Sequence, residues 1–243
     1  MAARYSKCTS IQRIEIAVNT MQERARRITR VTDAPVSLRD RAYLEIKRRI
    51  NRMEFRPGAY LNEAQISRTL RIGRTPVHQA LDRLMLEGLV QVIPRKGVMV
   101  ETISLDQVLQ IVDVRLVNEP FCVALAAERA TSVEVSQLRV LLDSAGPLIR
   151  TRDREQLMDL DRLFHERISQ AARNPVLSDT ISRLHDRSLR FWFTSLGDDL
   201  QLCRGDEEHR AILDSIARRD AVGAADAMRH HIESSRTHIT RAI

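Results

Sequence analysis

The sequence predicts a mainly α-helical protein, in which a small helical domain with a β wing precedes an all-α bundle of six or seven helices. Alternation typical of strands is confined to residues 59–61, 89–93 and 98–100, and helical periodicity covers most of the rest. Basic charge is concentrated in the amino-terminal part of the chain, which also contains the strand segments. Residues 1–103 carry a net charge of +10, and residues 104–243 carry −3. A chain of 243 residues is long enough for two domains, each with its own core.

Cysteine content argues against a disulfide-stabilised protein, and hydropathy argues against a membrane or secreted protein. The three cysteines, Cys8, Cys122 and Cys203, are scattered and form no CxxC pair, so we expect no disulfide framework. The sequence has no apolar run long enough to cross a membrane and no charged-then-apolar leader. We therefore expect a cytoplasmic protein without a membrane partner.

Residues 1–36 precede the first domain and contain an amphipathic pattern. Apolar residues recur at alternating three- and four-residue steps, which predicts a short helix that ends before Pro35. The residues of this stripe are Ile11, Ile14, Val18, Met21, Ala25 and Ile28. The helix either packs on its own chain or forms an arm that supports a dimer.

Residues 37–103 predict a domain of three helices and three short strands. Ser37 begins the first helix, which is amphipathic, and Pro57-Gly58 forms a turn before the strand at residues 59–61. In the first helix we expect Leu38, Ala42, Ile46 and Ile50 inside, and Lys47, Arg48, Arg49 and Arg52 outside.

Two further helices follow at a spacing typical of a helix-turn-helix. Glu63–Leu70 is a short helix, Ile72 and Gly73 supply the tight turn, and the second helix covers residues 74–87 until Gly88 closes it. Pro76 fits the first turn of that second helix, where its missing amide proton costs nothing. The apolar face of the second helix consists of Val77, Leu81 and Leu84.

A hairpin completes the domain. Strands at residues 89–93 and 98–100 are joined by a tip that contains Arg95, Lys96 and Gly97. A cationic tip on a two-stranded wing suits contact with a phosphate backbone. The whole pattern predicts a winged helix-turn-helix that binds double-stranded DNA.

Residues 38–102 resemble the DNA-binding domain of the GntR family of bacterial transcription regulators. The resemblance rests on the core Arg74-Thr-Pro-Val-x-x-Ala-Leu81 and on the glycine-tipped wing. It implies DNA contacts by Arg74, Thr75, Pro76, His78, Gln79, Arg95, Lys96 and Gly97. Gly73 replaces the small hydroxyl residue that is usual in the family, and His78-Gln79 replaces the usual Arg-Glu, so the operator sequence does not carry over.

From residue 104 onward the strand signals disappear and helices are predicted to the end of the chain. Turns are marked by Asn174-Pro175 and by Gly197-Asp198-Asp199. The predicted helices are 106–130, 133–151, 154–172, 175–193, 207–218 and 221–243. We assign residues 104–243 to an all-α bundle of six or seven helices.

One carboxylate and three histidines in this bundle are candidate metal ligands. Asp161 and His165 are four residues apart and share a helix face, while His209 and His231 lie on two later helices. Such a set suits a divalent ion, zinc or nickel first and manganese as an alternative. By spacing alone the signal is weak, because a histidine beside apolar residues is usually a packed core histidine.

Residues 104–243 resemble the FadR-type carboxy-terminal domain of one GntR subfamily. The resemblance rests on Arg115-x-x-x-Glu119, Asp161-x-x-Phe-His165, Glu208-His209 and Met228-x-x-His231. In members with this Asp/His/His/His set, the four residues are similar to metal ligands that line an effector cavity. The resemblance implies one divalent ion per chain, with Asp161, His165, His209 and His231 as its ligands.

The same resemblance implies a role for Arg115, because an arginine at this place commonly pairs with an effector carboxylate. Glu119, one helical turn further on, is the alternative partner in a purely structural ion pair. We expect His230 at the surface, and His185 and His238 match no motif.

These patterns predict a transcription regulator rather than an enzyme. A catalytic metal needs an open position and a general base aimed at bound water, but Glu166 points off the ligand face and no nucleophile motif is present. A DNA-bridging architectural protein needs no histidine cluster, and a pure metal sensor uses the ion itself as its signal. The expected protein is a homodimeric repressor that binds a near-palindromic operator and responds to a small organic acid held over the metal.

Overall fold

The chain folds into a winged amino-terminal unit and a helical bundle, described by a computed structural model for residues 37–102, 104–195 and 199–241. The helix expected within residues 1–36 lies outside the described residues. Within the described ranges, no helix is long and apolar enough to cross a membrane.

The amino-terminal unit combines a helix-turn-helix with a small sheet. Its elements are α1 (Leu38–Asn51), β1 (Tyr60–Leu61), α2 (Glu63–Leu70), α3 (Arg74–Leu86), β2 (Val90–Ile93) and β3 (Gly97–Val100). The strands form an antiparallel sheet in the order β1-β3-β2, with Leu61 opposite Val98 and Val90 opposite Val100. The predicted winged architecture is confirmed.

Side-chain caps and one glycine define the ends of these helices. Ser37 Oγ accepts a hydrogen bond from the Asp40 amide at 3.0 Å, and Asn62 Oδ1 accepts one from the Gln65 amide at 2.9 Å. Both caps satisfy amides that have no partner inside the helix. Gly88 ends α3 with a φ of +71°, a left-handed conformation that glycine adopts without strain.

The turn between α2 and α3 differs from the prediction. Arg71 has a φ of +52° and supplies the reversal, whereas Gly73 has a φ of −57° and is the N-cap of α3. The Ile72 amide donates to the Ser67 carbonyl at 3.1 Å, which is the closing bond of a Schellman motif. That motif requires the left-handed conformation at the residue before Ile72, so Arg71 adopts it.

Two predictions for α1 are wrong. Leu38 is 50% exposed at the first position of the helix, and Tyr43 is buried on the inner face instead. Lys47 was expected outside, but its amino group lies among the carboxylates of Glu87 and Asp186. A helix of the bundle covers this side of α1, and the sequence of α1 alone does not reveal that neighbour.

The bundle contains seven helices among the described residues. They are α4 (Leu105–Arg129), α5 (Ser132–Asp143), α6 (Ala145–Thr151), α7 (Arg154–Ala171), α8 (Pro175–Ser195), α9 (Asp199–Ala217) and α10 (Ala221–Arg241). Helix α4 packs along α10, and apolar residues such as Leu138, Phe164 and Ile212 fill the interior. The predicted all-α bundle is confirmed.

Two helix boundaries in the bundle differ from the prediction. The stretch 133–151 forms two helices that meet at Ser144, because Pro147 has no amide to donate to the Asp143 carbonyl. Helix α9 begins at Asp199 rather than at Glu207. Gly205 lowers the helix propensity there by about 1 kcal/mol relative to alanine, yet the helix continues through it.

Candidate DNA interface and candidate metal and effector cavity

Helix α3 presents the predicted DNA-contacting residues together. Arg74, Thr75, His78 and Gln79 are exposed, and Pro76 is half-buried in the first turn. The opposite face of α3 is buried at Val77, Ala80, Leu81 and Leu84. The inward face anchors the helix, which leaves the outward face available to a ligand as large as DNA.

His78 lies between two carboxylates on this surface. Its Nδ1 is 3.0 Å from Oε1 of Glu63 on α2, and its Nε2 is 3.7 Å from Oδ2 of Asp82. The hydrogen bond with Glu63 and the charges of Asp82 and Glu63 raise the pKa of His78. His78 therefore holds a proton more tightly than an isolated histidine does.

The tip of the wing is a tight cationic turn. Arg95, Lys96 and Gly97 are all exposed, and the Lys96 amide donates to the Ile93 carbonyl at 3.0 Å. Gly97 has a φ of +98°, which favours glycine, and Arg95 adopts a left-handed φ of +64°. The turn presents two positive side chains to solvent.

Three helices of the bundle bring the four candidate metal ligands together. Asp161 and His165 come from α7, His209 from α9 and His231 from α10, and the ligand atoms they offer all lie within 4.8 Å of one another. Asp161 Oδ1 is 3.3 Å from His209 Nε2 and 3.9 Å from His165 Nε2. We call these four residues the histidine–aspartate cluster.

The cluster fits a divalent cation because two of its ring nitrogens are buried without a hydrogen bond among the described residues, and Oδ1 of Asp161, 3.3 Å from the nitrogen of His209, is a further donor atom for an ion. His165 Nε2 and His209 Nε2 form no hydrogen bond within the described part of the chain. An unsatisfied buried polar atom costs about 1–3 kcal/mol, and an ion bound between these rings would remove that cost. Three imidazoles and one carboxylate are a donor set that zinc and nickel accept.

Two glutamates orient the histidines of the cluster. Glu119 Oε2 lies 3.0 Å from His165 Nδ1, and Glu208 Oε2 lies 2.9 Å from His231 Nδ1. In both rings the carboxylate engages Nδ1 and leaves Nε2 for an ion, an arrangement common around metal-bound histidines. From the sequence, Glu119 is expected only as a partner of Arg115, and Glu208 has no expected role. The available signal for Glu208 is its position next to the candidate ligand His209.

The electrostatics of the cluster favour the ligand forms of its residues. Burial, and the charge of His185, lower the pKa of His165 to about 4 against the attraction of Glu119. Burial also lowers the pKa of His231 to about 4, although Glu208 opposes this shift. Burial would raise the pKa of Asp161, but the adjacent rings of His209 and His165 lower it. Neutral His165 and His231 beside the Asp161 anion are protonation states that bind a metal.

Arg115 is buried and already has partners. Its side chain is 3% exposed, Nε and Nη2 donate to the Glu119 carboxylate, and Nη2 lies 3.0 Å from His185 Nε2. The ion pair with Glu119 that the sequence left open is therefore formed. Burial would raise the pKa of Glu119, but the charges of Arg115, His185 and His165 hold it well below its usual range.

His185 is, with Glu208, a residue of this region whose role the sequence does not indicate. It contacts Arg115, and its Nε2 lies 3.4 Å from Glu119 Oε1. Glu119, His165 and His185 also offer ligand atoms within 4.8 Å of one another. The guanidinium of Arg115 beside this second group would repel a second cation, so we assign no metal to it.

One cavity connects Arg115 with the cluster. It encloses about 940 Å³, and its walls include Arg115, Asp161, His209 and His231 together with apolar residues such as Leu157. His230 is exposed, as predicted, and also borders this cavity. Arg115 and three of the candidate metal ligands therefore border one space.

Family models match both units of the chain. The model for "Bacterial regulatory proteins, gntR family" matches residues 38–100, and the model for "FCD domain" matches residues 110–234. The first match coincides with the winged unit, and the second covers the helices that carry the cluster.

Curated relatives of the chain are transcription regulators. The Nta operon transcriptional regulator of Aminobacter aminovorans is 31% identical over 140 residues, which span 56% of this chain and 64% of that regulator. The HTH-type transcriptional repressor RspR of Escherichia coli is 28% identical over 194 residues, which span 79% of this chain and 84% of the repressor.

A solved structure shares the fold. Escherichia coli McbR/YncC superposes with a TM-score of 0.77 at 24% identity, covering 85% of this chain and 98% of that chain. A likeness at this identity concerns the fold alone, and the family follows from the two models and the relatives. The chain belongs to the GntR family of bacterial regulatory proteins and is a DNA-binding transcription regulator with an FCD domain, not an enzyme.

Proposed function

We propose that this protein is a homodimeric repressor whose operator affinity is controlled by a small carboxylate bound over a divalent ion. The main support is that Arg115 lines one cavity together with three members of the histidine–aspartate cluster, Asp161, His209 and His231. Glu119 links Arg115 to the fourth member, because it contacts both Arg115 and His165. An acid that offers one carboxylate to Arg115 and another oxygen to the ion would be held at two points. Small hydroxy-, keto- and dicarboxylic acids have this shape.

Operator binding is assigned to the winged unit, residues 37–103. Exposure on α3 and at the wing tip supports this assignment. Base edges and nearby phosphates are contacted by Arg74, Thr75, Pro76, His78 and Gln79. Phosphates or the minor groove are contacted by Arg95, Lys96 and Gly97.

The bundle, residues 104–243, is assigned to metal and effector binding. One ion per chain, zinc or nickel with manganese as the alternative, is held by Asp161, His165, His209 and His231. When bound, the ion supplies a Lewis-acidic centre that attracts an oxygen of the acid. The buried Nε2 atoms of His165 and His209 support this role.

Arg115 is assigned to the effector carboxylate. Glu119 and His185 engage Nε and Nη2 of the guanidinium, so the acid approaches the Nη1 side or displaces Glu119. Displacement of Glu119 changes the contacts of Arg115 with its two buried neighbours. Effector binding by that route alters the packing between α4 and α8.

A second copy of the chain is the partner that a near-palindromic operator requires, because two α3 helices contact its two half-sites. Helix α4 supports dimerisation with an apolar stripe on its outer face, where Val114, Val117 and Phe121 are 43%, 74% and 57% exposed. Burial of such a stripe against its own copy stabilises a dimer. Repression is favoured because the relative RspR is a transcriptional repressor.

The test combines metal analysis, thermal shift and operator binding. Purified protein is loaded with zinc and screened against a panel of small organic acids; an acid that binds the native state raises the Tm. Operator DNA is selected by the protein from a random-sequence pool. An acid that raises the Tm only with zinc present and weakens operator binding supports the proposal. Zinc that changes operator affinity without any acid indicates a metal sensor, and absence of zinc binding refutes the site.

A further inference from the structure

Helix α8 carries two consecutive side chains that contact different parts of the protein. His185 faces the cavity side, with Nε2 3.0 Å from Arg115 Nη2 and its ring centroid 4.3 Å from that of His165. Asp186 contacts α1, with Lys47 Nζ 2.5 Å from Oδ2 and Asn51 Nδ2 donating to Oδ1 at 3.1 Å. Successive helical residues point about 100° apart, so a single turn of α8 contacts both units.

The contact between Asp186 and α1 is buried. The Asp186 side chain is 2% exposed and that of Lys47 is 14% exposed. Lys47 Nζ also lies 2.9 Å from Glu87 Oε2 and donates to the Tyr43 hydroxyl at 2.8 Å. Because loss of one partner leaves the other charge uncompensated in a buried site, this network fixes the position of α1 against α8.

The same network reaches the end of α3. Glu87 is the C-cap residue of α3, and the Tyr43 hydroxyl donates to its Oε1 at 2.9 Å. A Cβ at the next residue, Gly88, would lie 3.3 Å from Nε of Arg187, which follows Asp186 on α8. The carboxyl end of the helix assigned to the operator is thus packed against α8.

We infer that α8 couples the cavity to the DNA-binding unit, with His185 as the contact on the cavity side and Asp186 as the residue that positions α1. The inference rests on the function proposed above, because it requires a ligand in the cavity. Ligand contacts with His165 or Arg115 reposition His185, and the helix transfers this displacement to Asp186 on the same turn. Cavity occupancy then biases the arrangement of α1 and α3.

A second ionic contact between the units is a weaker candidate. Arg52 of α1 pairs with Glu155 and Asp159 of α7. These side chains are 28%, 47% and 42% exposed, and pairs at such exposure are screened by solvent and contribute little. We therefore assign the coupling to Asp186.

Hydrogen exchange of the full-length protein, with and without zinc, tests the inference. Zinc alone is the probe, because its proposed ligand His165 contacts His185. In the native sequence we expect zinc to slow exchange in the last turn of α1 by about fivefold or more, the lower end of typical coupling between sites. In Asp186→Asn this slowing is lost while zinc still binds, and the protein folds because Lys47 retains Glu87. Asp179→Asn is the matched control, since Asp179 is exposed on the same helix.

A second variant and two contrary results complete the exchange experiment. Lys47→Gln breaks the same contact from α1 and must behave like Asp186→Asn, so it also serves if Asp186→Asn does not fold. Zinc that binds without slowing exchange in α1, or an undiminished response in Asp186→Asn, overturns the inference and leaves the proposed function standing. Failure of zinc to bind the native protein refutes the metal site and the inference with it.

Discussion

Replacement of Glu208 by alanine tests whether the histidines were positioned for a metal. Glu208 Oε2 lies 2.9 Å from Nδ1 of His231, and both side chains are less than 10% exposed. Carboxylates that orient metal-bound histidines contribute about 10- to 100-fold to metal affinity. At saturating zinc, each tenfold loss of affinity lowers the free energy of unfolding by about 1.4 kcal/mol. For a protein of this size that corresponds to a Tm lower by roughly 3–6 °C.

The assay pairs a chelator competition with thermal denaturation. Glu208→Ala should lose zinc affinity by the stated factor and melt earlier in zinc than the native protein. Glu207→Ala is the matched control, because Glu207 is exposed next to Glu208 in the sequence. Addition of excess EDTA should remove most of the difference in Tm between Glu208→Ala and the native protein. Equal zinc affinity in Glu208→Ala and Glu207→Ala would refute the assignment of His231 as a ligand.

Three further predictions concern DNA binding and assembly. Arg74→Ala should cost about 1–3 kcal/mol of operator affinity in electrophoretic titration, whereas Lys96→Ala should weaken all sequences and lower the salt slope by about 1; unchanged operator affinity in Arg74→Ala would reject the assignment of α3. Because Glu63 and Asp82 raise the pKa of His78, its positive charge is present at low pH and lost as pH rises through that raised value. Operator affinity should fall as pH rises through it, and His78→Gln should flatten this dependence. Val117→Glu should shift sedimentation towards the monomer, and an unchanged dimer would exclude the α4 stripe as its interface.

Much of the fold was predictable because local signals and packing agree. The alternating apolar residues of the wing and the stripe of α3 are periodic, and Gly88 ends its helix as expected. The errors concern side chains whose burial is determined by tertiary contacts. Lys47 stands among basic residues that are typical of a solvent-exposed helix face. Its partner Asp186, however, is 139 positions away in the chain. The residues of α1 alone carry no information about that distant neighbour.

The candidate site was only partly predictable for a related physical reason. Asp161 and His165 share a helix face by spacing, so their proximity follows from the sequence. His185 has no motif around it, and its contact with Arg115 depends on how α8 packs against α4. The role of Glu119 was ambiguous because a carboxylate four residues from an arginine suits an ion pair, and its second contact with His165 needs the folded bundle.

The most direct test of the central claim is the effect of an acid on operator affinity in Arg115→Lys. Lysine keeps a positive charge beside Glu119, whereas alanine would leave that buried carboxylate unpaired; lysine lacks the planar fork that binds a carboxylate bidentately. With the acid that gives the largest thermal shift, the zinc-loaded native protein should lose operator affinity about 5- to 150-fold. Arg115→Lys should keep its zinc and its operator affinity without acid, and show no such loss. An equal loss of affinity in Arg115→Lys would contradict the effector role of Arg115 and leave it as the structural partner of Glu119.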